Sequence, residues 1–346
     1  MVEDIGTTPK GAFFVKCRPQ DADVIDLVRD VRRVFVGYPP WRRDAVYDPH
    51  KMSRCMIDLR TASDDWKSEV REDIQEKGYG RAMAFNRGLA KSIEPGWIVA
   101  IPRPSSGCCW LGEISGAFNV VENPEWKNRY LRLRRDEKLN CDDEKSHVGD
   151  VVQNWPVKQL KKVPFGLVPR WISYRFFDRS SAGKIKGFPS LKLNAYSTLK
   201  GMLNGGAPVD LTKPTRDLQE IERRLLTFVG PAAFEHLCVA LLQLEQRNLI
   251  WWHTGGSGDG GADGLAYDAT WRPTAMLQCK WYLAQSQASK LKGFSNGSGK
   301  LILAALVHDP IDLDVDGVVF WGRHEIAKLT LKHRRYLPTA ISLNIQ

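Results

Sequence analysis

Asp263, Gln278 and Lys280 are the residues of this sequence whose types and spacing best suit chemistry on a phosphate. Asp263 stands in a glycine-rich stretch, GGSGDGGADG at 255–264, which has six glycines and two aspartates in ten residues. Gln278 and Lys280 lie in the apolar run AMLQCKWY. Alternate residues of a strand share a face, so Gln278 and Lys280 point one way and Cys279 the other. If the strand that begins at Asp263 pairs with that run, one pocket gathers a carboxylate, an amide oxygen and an ammonium. Mg2+ takes oxygen ligands and keeps several waters, so few protein ligands suffice. The ammonium can hold an attacking water and offset charge on a phosphate. The glycines let the chain turn sharply and let a bulky nucleic-acid strand come close. A lysine amid apolar strand residues is costly without a charge partner, which makes Lys280 hard to read as incidental.

Other readings of the loop are weaker. Gly256, Gly258 and Gly261 satisfy G-x-G-x-x-G. A dinucleotide site needs a helix to start at the third glycine, and ADGLAYDATW, soon broken by Pro273, does not read as one. No G-K-[ST] ends the loop, and no Glu closes a twelve-residue calcium loop. Asp-Gly is also a common turn pair, which is the plain alternative for Asp263. Asp259 reads as a loop-shaping side chain, Ser257 as loop, and His236 and His253 as structural. Lys290 and Lys292 fit either a solvated helix face or a DNA contact.

The elements around these residues read as an α/β domain. RDLQEIERRLLTFVG is an amphipathic helix closed by Gly230, and PAAFEHLCVALLQLEQ is a second, with Pro231 in its first turn. NLIWWH is a strand entering the glycine loop; LAYDATW and AMLQCKWY follow. QSQASKLKGF reads as helical. KLILAALVH, apolar throughout, is expected to be a strand covered on both faces. GVVFWG is a further strand and RHEIAKLTLKH a closing helix. Upstream, 11–180 reads as mixed α/β: GAFFVKC and VFVGY as strands, 68–93 as an interrupted helix, then WIVAIPRP, a turn, and CWLGEISGAFNVV. YLRLRR alternates and is expected to be a strand with Arg132 and Arg134 on one face, solvated or touching phosphate. The Gly-, Ser-, Pro- and Lys-rich stretch 181–215 reads as a linker with one short helix.

The totals fit this scheme. A chain of 346 residues favours two domains, and 43% hydrophobic content with 12 Trp and 13 Phe supports sizeable cores. The net charge of +10, with a pI of about 9.2, suits a polyanionic partner, because Lys and Arg release counterions from phosphate backbones. No basic stretch followed by a long apolar core opens the chain, and no run approaches the roughly 20 apolar residues of a membrane span. The seven cysteines (17, 55, 108, 109, 141, 238 and 279) are never spaced C-x-x-C, which argues for a reducing cytoplasm and against a structural zinc site.

Three elements in order, Phe234-Glu235, then HTGGSGDGGADG, then LQCK, are similar to the catalytic domain of Mrr-like restriction endonucleases, members of the PD-(D/E)xK nuclease superfamily. The resemblance covers roughly 216–335. It implies a mixed sheet flanked by helices, with Asp263 and Lys280 catalytic and Gln278 in place of the second acid. It also implies Glu235 as an additional metal-side or water-side carboxylate and the Cys279 backbone carbonyl as a metal ligand. Ala262 departs from the bulkier aliphatic residue usual before the aspartate, a difference expected to affect packing.

IEPGWIVAIPRPSSGCCWLGEISGAF, and later GDVVQNWPVKQL, resemble PUA-like modules of the EVE type over about 11–178. Some members of that superfamily hold a flipped, modified base between aromatic side chains, and stacking offsets the unstacking cost. The aromatic candidates are Tyr38, Trp41, Trp97, Trp110, Phe118 and Trp155; each is equally a core residue by type. The sequence thus predicts an α+β PUA-like DNA-recognition domain at 1–180, a linker at 181–215 and a nuclease domain at 216–346. The expected protein is a cytoplasmic, Mg2+ (or Mn2+)-dependent DNA endonuclease of restriction or anti-phage type, with no membrane association. It would act as a homodimer or higher assembly where both strands are cut. The alternatives are a nuclease switched on by a small signalling ligand at the N-terminal half, and a nucleic-acid-binding protein that has lost catalysis.

Overall fold

The computed structural model describes residues 10–36, 88–89, 92–121, 123–140, 147–177, 180–188, 193–254, 262–287, 299–309 and 317–346. The chain divides into two compact units, Met1–Val168 with Ile172–Pro208, and Pro169–Trp171 with Val209–Gln346. Among the described residues no helix is long and apolar enough to cross a membrane. Cys17, Cys108, Cys109, Cys238 and Cys279 are buried free thiols.

The first unit is built on a seven-stranded mixed sheet. In chain order its elements are β1 (Ala12–Val15), α1 (Ile25–Val31), β2 (Arg33–Phe35), β3 (Ile98–Arg103), β4 (Cys108–Ile114), β5 (Asn119–Val120), α2 (Lys127–Asp136), β6 (Gln153–Pro164), β7 (Ala182–Lys184) and α3 (Ala195–Leu203). The strand order is β2-β6-β4-β3-β1-β7, with β5 beside β6. Strands β1 and β3 run parallel and the other pairs antiparallel. Every residue of β1 and β3 is buried, as their apolar composition requires. Trp155 is fully buried, with the Phe118 ring at 4.7 Å and the Phe13 ring at 5.5 Å. Replacing Trp155 by alanine is expected to destabilise this unit by about 3–5 kcal/mol, because a large buried ring leaves a cavity. Chemical denaturation monitored by fluorescence would read the shift.

Two segments depart from the sequence-based expectation. YLRLRR is helix, not strand: it lies in α2, where Tyr130, Leu131 and Arg134 turn inward. Arg134 is buried while Arg132 is exposed, so the two arginines do not share a face. Arg134 donates to the Tyr130 hydroxyl at 3.2 Å and to the Asn140 carbonyl at 2.7 Å, and it lies 3.8 Å from the buried Asp150 carboxylate. It is therefore a core residue that no phosphate can reach. The stretch 181–215 is not a simple linker. Within it β7 pairs with β1, and α3 packs on the sheet of the first unit, its Leu199 fully buried. The helix expected over 68–93 falls almost entirely outside the described residues.

The second unit carries α4 (Leu218–Phe228), α5 (Pro231–Glu245), β8 (Ile250–His253), β9 (Gly264–Tyr267), β10 (Pro273–Leu283), β11 (Lys300–His308), β12 (Val318–Trp321), α6 (Arg323–Lys332) and α7 (Pro338–Ser342). Its sheet order is β12-β11-β10-β9-β8. Strands β10, β11 and β12 are parallel, and β8, β9 and β10 antiparallel. All seven interior residues of β11 are buried, as a central strand covered on both faces should be. Of QSQASKLKGF, the described residues 285–287 form a helical turn.

Local signals set the helices that frame this sheet. Asp217 caps α4 by accepting the Glu220 N–H at 2.7 Å. Pro231 occupies the first turn of α5, where its missing N–H is not needed. Helix α5 lies against β8 and β10. Its Gln243 also caps the start of the outer edge of β8: the Trp251 N–H donates to Oε1 at 2.9 Å, and Nε2 donates to the Leu249 carbonyl at 2.9 Å. Arg224 on α4 is 2% exposed and donates to the carbonyls of Asp210, Lys213, Leu343 and Asn344 and to the Glu220 carboxylate. Alanine at 224 would strand these acceptors, so a loss of about 3–5 kcal/mol is expected, readable as a lowered unfolding midpoint of this unit.

Candidate active site

The site lies where β8 ends, β9 begins and β10 passes its midpoint. The neighbouring strands β9 and β10 pair antiparallel, which brings the residue before β9 to the middle of the Q-x-K strand. The ladder holds Gly264 opposite Leu277. Just before it, the Asp263 N–H still donates to the Leu277 carbonyl at 2.9 Å. The Asp263 side chain then takes over from the backbone: Oδ2 accepts the Cys279 N–H at 2.6 Å. A carboxylate held by a main-chain amide is fixed in place without losing its charge. The N–H and C=O of a strand residue leave by the same edge, so the Cys279 carbonyl emerges on the edge where that carboxylate sits.

Gly264 is explained by crowding at this junction. A Cβ there would meet the Trp252 carbonyl at 3.2 Å and the Val239 side chain at 3.1 Å, so β8, β9 and α5 converge on it. On the far side of β9, Thr254 fixes the base of the loop. Its N–H donates to the Asp263 carbonyl at 3.2 Å and its hydroxyl to the Ala262 carbonyl at 2.6 Å. Ala262 is buried, in keeping with a packing role. Gly258, Asp259 and Gly261, with Ser257, Lys290 and Lys292, lie outside the described residues.

Strand alternation places Gln278 and Lys280 together on one face of β10. Gln278 is buried and Lys280 half-buried. Cys279 faces the other way, toward α5, where its thiol meets Cys238. That contact and burial push the Cys279 thiol far up, and the Asp263 and Glu235 carboxylates add to the effect. A thiol so held stays protonated and is no thiolate ligand, which leaves its backbone as the chemical part of the residue. Glu235 lies on α5, the helix that the Cys279 side chain faces. Glu235 Oε2 lies 3.2 Å from His253 Nε2 on the last residue of β8. His236 stacks beside His253, with ring centroids 4.1 Å apart. Both histidines, read from sequence as structural, thus flank a candidate site residue. The signal for His253 was its position between an aromatic strand and the glycine loop.

The oxygens offered around this junction are the Asp263 carboxylate and the Cys279 carbonyl, with the Gln278 amide on the face of β10 opposite the Cys279 side chain and the Glu235 carboxylate on α5. Among the described residues no three His, Cys, Asp or Glu side chains form a metal cage. This mixed, hard set fits a small divalent cation that keeps part of its water, and it does not fit a thiolate-bound metal.

The aromatic candidates of the first unit fare differently. Trp97, Phe118 and Trp155 belong to its hydrophobic core, so a base would reach them only by opening that core. Trp110 is the least buried of the four described, and the Arg29 guanidinium lies over its ring at 5.1 Å. Tyr38 and Trp41 lie outside the described residues.

A five-stranded mixed sheet with flanking helices has the architecture of a restriction-endonuclease-like fold. Residues 227–297 match the family model Mrr_cat, described as restriction endonuclease; the match spans α5, the glycine loop, β9 and β10 and covers less than half of the chain. All of the matched residues lie in the second unit. Among solved structures, the chain is similar to MspJI restriction endonuclease in complex with a 27-mer oligonucleotide, at 11% identity and a TM-score of 0.26, over 78% of this chain and 68% of that one. No curated protein sequence matches it.

Proposed function

We propose that this protein is a Mg2+- or Mn2+-dependent DNA endonuclease of the restriction type, in which the N-terminal unit recognises DNA and the C-terminal unit hydrolyses the phosphodiester. The observation that carries this reading is the Asp263 carboxylate pinned on the Cys279 N–H, beside a strand that presents Gln278 and Lys280 on one face. Asp263, the Cys279 carbonyl, Gln278 and Glu235 would hold the cation. When bound, the cation supplies a lowered pKa for its water and positive charge against the phosphate. Lys280 orients the attacking water by donating to its oxygen and offsets the negative charge that develops on the phosphate. Gln278 keeps an oxygen toward the same point without adding a second negative charge there. The net charge of +10 supplies general attraction to a polyanion. One such site cuts one strand, so a duplex break takes two copies.

The test uses purified protein, supercoiled plasmid with and without base modification, and a metal series of Mg2+, Mn2+ and chelator. Nicked and linear products are expected with either ion and none with chelator. Cutting that persists in chelator, or intact plasmid under every condition, overturns the proposal.

A further inference from the structure

Glu235 sits on a helix, and a glutamate side chain has several rotatable bonds. Among the described residues its carboxylate has one partner, which belongs to another element: His253 Nε2, 3.2 Å from Oε2. A carboxylate only accepts, so Nε2 carries the hydrogen of this bond. Oε1 has no partner among the described residues. The His236 ring lies beside the imidazole, with centroids 4.1 Å apart and an interplanar angle of 33°. His253 stands opposite Gly264 in the β8–β9 ladder, so this assembly is one residue from Asp263.

We infer that His253 is a positioning residue: it donates from Nε2 to one oxygen of Glu235 and thereby turns the other toward the cation site that Asp263 forms. The inference rests on the nuclease reading above. It assigns His236 a supporting part, keeping the His253 ring from rotating away. An ordinary half-exposed pair of this kind contributes little to stability. Its contribution to a metal site is of another order, because partners that orient a ligand typically govern about 10–100-fold in metal affinity or activity.

The test compares wild type with His253→Ala, His253→Gln, His253→Asn and Asp263→Ala. Glutamine places an amide N–H near the position of Nε2; asparagine keeps the polarity but is too short to reach Glu235. Mn2+ binding to the free protein is followed by electron paramagnetic resonance, beside a Mg2+ titration of plasmid cleavage and a thermal melt. His253→Ala and His253→Asn are expected to weaken Mn2+ binding about tenfold or more and to raise the half-saturating Mg2+ equally. The melting temperature stays near wild type, and His253→Gln recovers most of the affinity. Should alanine prevent folding, the asparagine variant carries the comparison. Wild-type Mn2+ affinity in His253→Asn, or equal impairment in the glutamine and asparagine variants, overturns the inference. If Asp263→Ala loses Mn2+ while His253→Asn keeps it, positioning alone fails. If Asp263→Ala binds Mn2+ as wild type does, the metal-site reading fails and the inference with it.

Discussion

Replacing Asp263 by alanine is expected to lower plasmid cleavage by at least about a thousandfold while DNA binding in a gel-shift assay persists. Two things leave with the carboxylate. One is the charged oxygen best placed to hold a divalent cation. The other is the acceptor of the Cys279 N–H, the bond that ties the start of β9 to the middle of β10. Asparagine separates them, because its amide oxygen can still accept from Cys279 but carries no charge. Asp263→Asn should therefore melt close to wild type and be nearly as inactive as the alanine variant. Cleavage at the wild-type rate by either variant would remove Asp263 from the chemistry.

Lys280→Ala should give a loss of about a hundred- to a thousandfold in cleavage, with no loss of stability. An ammonium half-buried in a strand gives up hydration, so its removal is expected to leave the melting temperature unchanged or to raise it. A structural lysine would show the reverse, keeping activity and losing stability. Arginine at 280 should recover little. Its charge is spread over a planar fork, and it cannot act as a compact donor to a single water. Single-turnover cleavage measured alongside a melt of each variant separates these outcomes.

Much of the nuclease core was legible because its signals are local. Apolar runs such as KLILAALVH and the Pro231 that opens a helix mark elements without reference to the rest of the chain. The meeting of Asp263 with the Q-x-K strand followed from strand alternation once β9 and β10 are neighbours. The bond from His253 to Glu235 was not legible, since it joins residues 18 apart whose elements meet only in the folded domain. YLRLRR misled because its period-two pattern contains an arginine that faces the core. Only Tyr130, Asp150 and the Asn140 carbonyl, brought together by folding, make burial of Arg134 tolerable. The 181–215 stretch misled in the opposite sense. Its composition is that of a linker, yet backbone pairing with β1, which composition does not report, incorporates it into a sheet.

Gln243 bears on how exposed the rim of the second unit's sheet is. An outermost strand ordinarily offers its main chain as a template on which another molecule can polymerise. Here the amide of Gln243 already occupies the Trp251 N–H and the Leu249 carbonyl of that rim. The start of this edge is thereby a poorer template for a further strand than a bare one. Removing that side chain, as in Gln243→Ala, would bare the main chain beside two tryptophans, so this variant is expected to aggregate more readily, which light scattering would read.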